Sequence, residues 1–89
     1  MSSSAPDLEA IPAVEPLITD VIATTALAAH AYLSADSEKA PDISDAQIAI
    51  DVAAFAFESI KDRLRPEQRL AITQMLTETR LTFIKKRGV

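Results

Sequence analysis

An all-α fold is predicted for this 89-residue chain: three helices, arranged as a three-helix bundle or as a helical hairpin plus one helix, and completed by oligomerisation. Three observations predict it. Apolar residues recur at three- and four-residue steps through three segments, no stretch alternates with period two long enough to form a strand, and prolines and polar clusters mark the ends of the periodic segments. No internal repeat or low-complexity tract competes with that reading.

Residues 1–15 read as a flexible Pro- and Ser-containing tail, because Ser2 to Ser4, Pro6, Pro12 and Pro16 interrupt any helix there. Residues 16–89 read as a single helical domain. From Pro16, a residue suited to a first helical turn, Leu17, Ile18, Val21, Ile22, Thr25, Ala28, Ala29, Tyr32 and Leu33 share the helical period. A polar connector from Ser34 to Ile43, broken by Pro41, separates this helix from the next. Ser44 with Gln47 has the spacing of a capping box, and Asp45 puts negative charge near the positive end of the helix dipole, so the second helix is predicted to start there. It should end near Arg63 to Arg65, since the residue before Pro66 is biased away from helical geometry. Pro66 then opens the third helix, with Glu67 in its first turn, Lys85, Lys86 and Arg87 in its last, and Gly88 in a left-handed terminating position. A single helix kinked through Pro66 is the competing arrangement.

The second helix is apolar around more of its circumference than a small monomer needs. Ile48, Val52 and Phe55 form one stripe, while Ile50, Ala53, Phe57, Ile60 and Leu64 line much of the other side. Gln47, Asp51, Glu58, Lys61 and Asp62 leave only a narrow polar strip. A chain this short buries a limited fraction of its surface, and usually supplements its core with disulfides, a metal, dense packing or association. With no cysteine, disulfides and thiolate metal sites are excluded, so association is the expected supplement.

The formal net charge of −4 disfavours general attraction to nucleic acid or to an anionic membrane. Met1 to Pro6 lack the basic start and apolar core of a secretory signal, and a cytoplasmic location is expected. Leu17 to Leu33, with Asp20, His30 and several threonines, reads as a soluble amphipathic helix and not as a membrane span. One histidine and one glycine provide neither a familiar metal site nor a phosphate-cradling loop, and no serine or threonine has an evident base. The expectation is a non-enzyme with no catalytic residues, no cofactor and no metal.

Two further constellations carry chemistry. Arg80 falls near the middle of an apolar arc of Leu70, Ile72, Leu76, Leu81, Phe83 and Ile84 on the third helix. A guanidinium there must snorkel to water, pair with a carboxylate or meet an anion at an interface. Asp51 is the preferred partner, giving a structural ion pair. The back of the first helix, with Thr19, Ala23, Ala26, Leu27 and His30, is small and nearly uncharged, and is either a second contact for another helix or an exposed Ala-rich face. The candidate interface is therefore Ala23, Leu27 and His30 with Ile50, Phe57 and Ile60. His30 buried against a partner would make association depend on pH.

Ala49, Ile50 and Asp51 on the second helix, Pro66 and Glu67 at the turn, and Leu76, Glu78, Arg80, Phe83 and Ile84 on the third resemble a small bacterial helical family known as domain of unknown function 1844. Thr25, Ala26, Leu27 and His30 are similar to it with a different histidine spacing. The resemblance implies an all-helical bacterial protein and a role for Asp51 and Arg80, and implies no activity. The expected function is a small interaction module, self-associating as a homodimer or acting as an accessory subunit of a larger complex. The alternative is a regulatory nucleic-acid-binding protein using the basic C-terminal end, Lys85, Lys86 and Arg87.

Overall fold

The computed structural model describes residues 13–34 and 40–88. They form α1 (Val14–Leu33), α2 (Ile43–Ile60), a 3-10 turn (Lys61–Arg63) and α3 (Pro66–Arg87), with no strand among the described residues. The chain is all-α.

Helix α1 starts two residues before the predicted Pro16, after the extended residue Ala13. Pro16 then occupies the third helical position, where its missing N–H is one of the four that find no acceptor within a helix. The predicted flexibility of residues 1–12 lies outside the described residues. At its C-terminus the N–H of Ser34 donates to the carbonyls of His30 (3.0 Å) and Ala31 (3.3 Å).

Helix α2 also starts earlier than the Ser44–Gln47 pattern indicates. Asp42 is the N-cap, and its carboxylate accepts the N–H of Asp45 at 3.0 Å. A carboxylate satisfies that donor and adds negative charge at the positive end of the helix, so Ser44 is drawn into the first turn. The N–H of Asp42 in turn donates to the Tyr32 carbonyl at 2.7 Å, which ties the end of α1 to the start of α2.

Pro66 separates two helices, as its effect on the preceding residue requires. Ile60 leaves helical geometry at φ −123°, ψ 0°, and Leu64 and Arg65 are extended with ψ of 154° and 153°. The kinked-helix alternative is overturned. Arg65 donates its N–H to Gln68 Oε1 at 3.1 Å, which closes the first turn of α3. Gly88 ends that helix at φ −83°, not in the predicted left-handed conformation, with its N–H on the Ile84 carbonyl at 3.0 Å.

Helices α1 and α2 form an antiparallel hairpin. Ile18 and Ile22 near the start of α1 pack with Ala53, Ala56, Phe57 and Ile60 near the end of α2, whereas Ala29 and Leu33 meet Ala46, Ala49 and Ile50. Six alanines, Ala26, Ala29, Ala46, Ala49, Ala53 and Ala56, are buried. Their short side chains let the two backbones approach closely, at the cost of little apolar area buried per residue. Helix α3 lies across one side of this hairpin. Ile72 and Leu76 join the lower cluster with Phe57, and Phe83 joins the upper one with Ile50.

Candidate functional site

The core takes half of the predicted interface. Ile50, Phe57 and Ile60 are buried within the chain's own fold, so they form no docking face for a second protein chain. The reason is the position of α3, which covers the flank of α2 that carries Ile50 and Phe57. Ala23 and Leu27 are exposed, Leu27 at 72%. The rest of that back face is used internally, because Ala26 is buried and His30 reaches α3.

The exposed apolar surface is on the other flank of the hairpin. Side chains at helical spacing on α1, namely Val14, Leu17, Val21 and Tyr32, lie on the side opposite His30, away from α3. On α2, Ile48 and Val52 lie on the side opposite Ile50 and Phe57. In an antiparallel pair these two stripes adjoin along one face. Leu17 is 51% exposed, Ile48 60% and Val52 43%, and Phe55 stands on the crest beside them at 76%. Thr25, Ala28 and Ser59 fill the spaces between them, and Asp45, at i−3 from Ile48 and i−7 from Val52, puts one carboxylate at the end of the α2 stripe. Large contiguous apolar surfaces of this sort mark interaction sites on soluble proteins.

A second concavity lies between α2 and α3. It encloses about 590 Å³ and is lined by Ala54, Phe55 and Phe57 from α2, by Leu76 and Arg80 from α3, and by polar residues at the turn. The predicted buried pair of Asp51 and Arg80 is not formed. Both are exposed, Asp51 accepts from Gln47 Nε2 at 2.8 Å within its own helix, and Arg80 is in neither of the ion pairs found among the described residues. Those pairs are Lys61–Glu58 and Arg63–Glu15, both at 2.8 Å. Asp51 lies on the outward side of α2, and Arg80 snorkels to the groove's edge, so neither charge has to be neutralised by burial.

Three anchoring groups were not anticipated from the sequence. The Arg69 guanidinium donates to the carbonyls of Lys61 (3.1 Å) and Leu64 (2.9 Å) where α2 breaks, the Lys61 carbonyl also accepting the Leu64 N–H at 3.3 Å. Thr79 is completely buried, with its hydroxyl 2.9 Å from the Met75 carbonyl and 3.0 Å from His30 Nε2. The hydroxyl's single proton serves either the Met75 carbonyl or His30 Nε2, according to the imidazole tautomer, and in both cases the His30–Thr79 contact braces α1 against α3. Arg87 lies over the Phe83 ring, 5.4 Å from its centre, while Lys85 and Lys86 are exposed beside it.

No group of three or more His, Cys, Asp or Glu side chains gathers among the described residues. Helix α1 is long and apolar enough, with a mean hydropathy of 1.2, to cross a membrane by length and composition. Its Ile22, Ala26, Ala29 and Leu33 are nonetheless buried in the bundle core. No family model, curated protein or solved structure matches the chain. The resemblance to domain of unknown function 1844 rests on the residues already named.

Proposed function

We propose that the chain is a non-catalytic helical interaction module whose partner is a second copy of itself. The observation that carries this reading is the largely apolar flank of the α1–α2 hairpin, exposed on the side away from α3. An apolar face with its one carboxylate, Asp45, at the end of the α2 stripe can pair with itself, and in a two-fold dimer one patch serves both subunits. Its size is adequate. Two helices of 20 and 18 residues side by side present a face about 27 Å long and about 20 Å wide, on the order of 500 Å² in projection. Rough side chains raise the accessible area above that projection, toward the roughly 800 Å² per partner of a standard interface.

The test is sedimentation of the full chain over a wide concentration range, beside Val21→Glu and Val52→Glu variants. Both residues are exposed, so a glutamate at either leaves the bundle core untouched and the helical circular dichroism unchanged. A dimer that either substitution converts to monomer is the expected result. A wild-type chain that stays monomeric up to its solubility limit refutes self-association. A soluble monomer that is captured through the same two residues by a larger protein would instead support the accessory-subunit reading.

A further inference from the structure

The groove between α2 and α3 meets that flank at Phe55 but opens toward α3, and has its own chemistry. Its volume of about 590 Å³ is within the range of about 300–1,000 Å³ typical of small-molecule sites. Phe57 and Leu76 give it an apolar floor. Along the α3 wall, Thr73, Thr77 and Arg80 follow at i, i+4 and i+7, which puts three donors in one row.

These donors are uncommitted within the described structure. Thr79 and Thr82 on the same helix lie within hydrogen-bond distance of the carbonyls one turn back, the usual fate of a helical threonine. Thr73, Thr77 and Arg80 have no side-chain hydrogen bond or ion pair with another described residue. The other charges in the groove are at its turn end and cancel: Lys61 is paired with Glu58 at 2.8 Å, and Arg69, bound to two carbonyls, is offset by Asp62. Arg80 is left as the unbalanced charge of the groove, in a chain whose net charge is −4. A guanidinium fork matches a carboxylate in two-pronged geometry, and flanking hydroxyls donate to the remaining lone pairs.

We propose that this groove binds a small amphipathic monocarboxylate, with its carboxylate on Arg80 and the Thr77 hydroxyl and its apolar body along the exposed Phe55, over the floor formed by Phe57 and Leu76. The seven helical steps from Thr73 to Arg80 span about 10 Å, the reach of a medium-length acyl chain. A cationic amphiphile is repelled by Arg80. A neutral alcohol gains the apolar contact alone.

Decanoate below its micellar threshold, decanol and decyltrimethylammonium, equal in chain length, separate these contributions when each is titrated into the isotope-labelled full chain and followed by amide chemical shifts. Saturable decanoate shifts centred on Phe57, Thr77 and Arg80 are expected, with weaker responses to the other two probes. Arg80→Gln should weaken decanoate binding about tenfold or more, since hydrogen bonds to charged groups contribute about 1.5–3 kcal/mol. Arg80→Lys should retain part of the affinity, and Val52→Glu, on the opposite flank, should retain all of it. The proposal is overturned by equal responses to decanoate and decanol, by undiminished binding to Arg80→Gln, or by the absence of saturable shifts.

Discussion

The two phenylalanines of α2, two positions apart, have opposite environments: Phe57 is 8% exposed and Phe55 76%. Phe57 sits among Ile60, Ile72 and Leu76, whereas Phe55 projects from the crest of the helix beside Val52. One helix therefore has an apolar side that the chain encloses and another that it leaves open. A third helix can cover only one flank of a hairpin. The surplus apolar stripe on α2 is a consequence of topology, and a second layer is what would cover it.

Stability measurements give the widest separation between the two sides. Phe57→Ala empties a site at the junction of all three helices and should cost about 3–5 kcal/mol in chemical denaturation. Phe55→Ala removes a side chain that has few neighbours in the single chain, and should change monomer stability by no more than about 0.5 kcal/mol. Measured at increasing protein concentration, the second variant should fall behind the wild type as the dimer forms, because mass action then adds association to folding. Equal costs for the two substitutions at low concentration would erase the distinction on which the open face rests.

The same contrast holds for two arginines of α3. Arg69 is committed to two carbonyls at the broken end of α2, and Arg80 to none. Arg69→Gln should destabilise the fold by about 1–3 kcal/mol, since it removes two hydrogen bonds from a charged donor at a part-buried turn. Arg80→Gln should change it by about 0.5 kcal/mol or less, as expected for an exposed residue outside such a network. A large loss from Arg80→Gln in the absence of any ligand would mean that this arginine is structural.

The number, order and type of the helices were legible in the sequence because apolar period and proline position are local signals. The ends near Pro66 followed from sterics alone. What was not legible was which apolar side of α2 faces inward. Ile50, Phe57 and Ile60 have the same composition and period as a docking stripe, and only the placement of α3 decides between the two sides. Arg80 was singled out because it interrupts an apolar arc, but that arc is divided: Ile72, Leu76 and Phe83 are buried while Leu70, Leu81 and Ile84 are exposed. Thr79 completes the buried stripe at positions 72, 76, 79 and 83, a spacing visible in the sequence and overlooked because threonine is polar. Its pairing with His30 brings together residues far apart in the chain, which no local pattern records.

The smallest predicted effect concerns the start of α2, where two neighbouring acids differ as the two phenylalanines do. Asp42 is useful to the fold, because its carboxylate caps Asp45 N–H at 3.0 Å. Asp45 is penalised by that same carboxylate, whose charge raises the Asp45 pKa, with desolvation adding to the shift in the same direction. The folded chain thus holds the Asp45 proton more tightly than the unfolded chain does. Its contribution to stability is greatest below the unfolded carboxylate pKa and is lost as pH rises through the raised folded value. Asp45→Asn removes the repulsion and leaves the capped backbone N–H in place, so a small rise in melting temperature is expected at neutral pH. That gain should vanish in acid, where Asp45 of the wild type is already protonated. Asp42→Ala should act in the opposite direction, with a loss of about 1 kcal/mol from the missing cap. A gain from Asp45→Asn that persisted unchanged into acid would assign the effect to helix propensity, and not to the charge of Asp42.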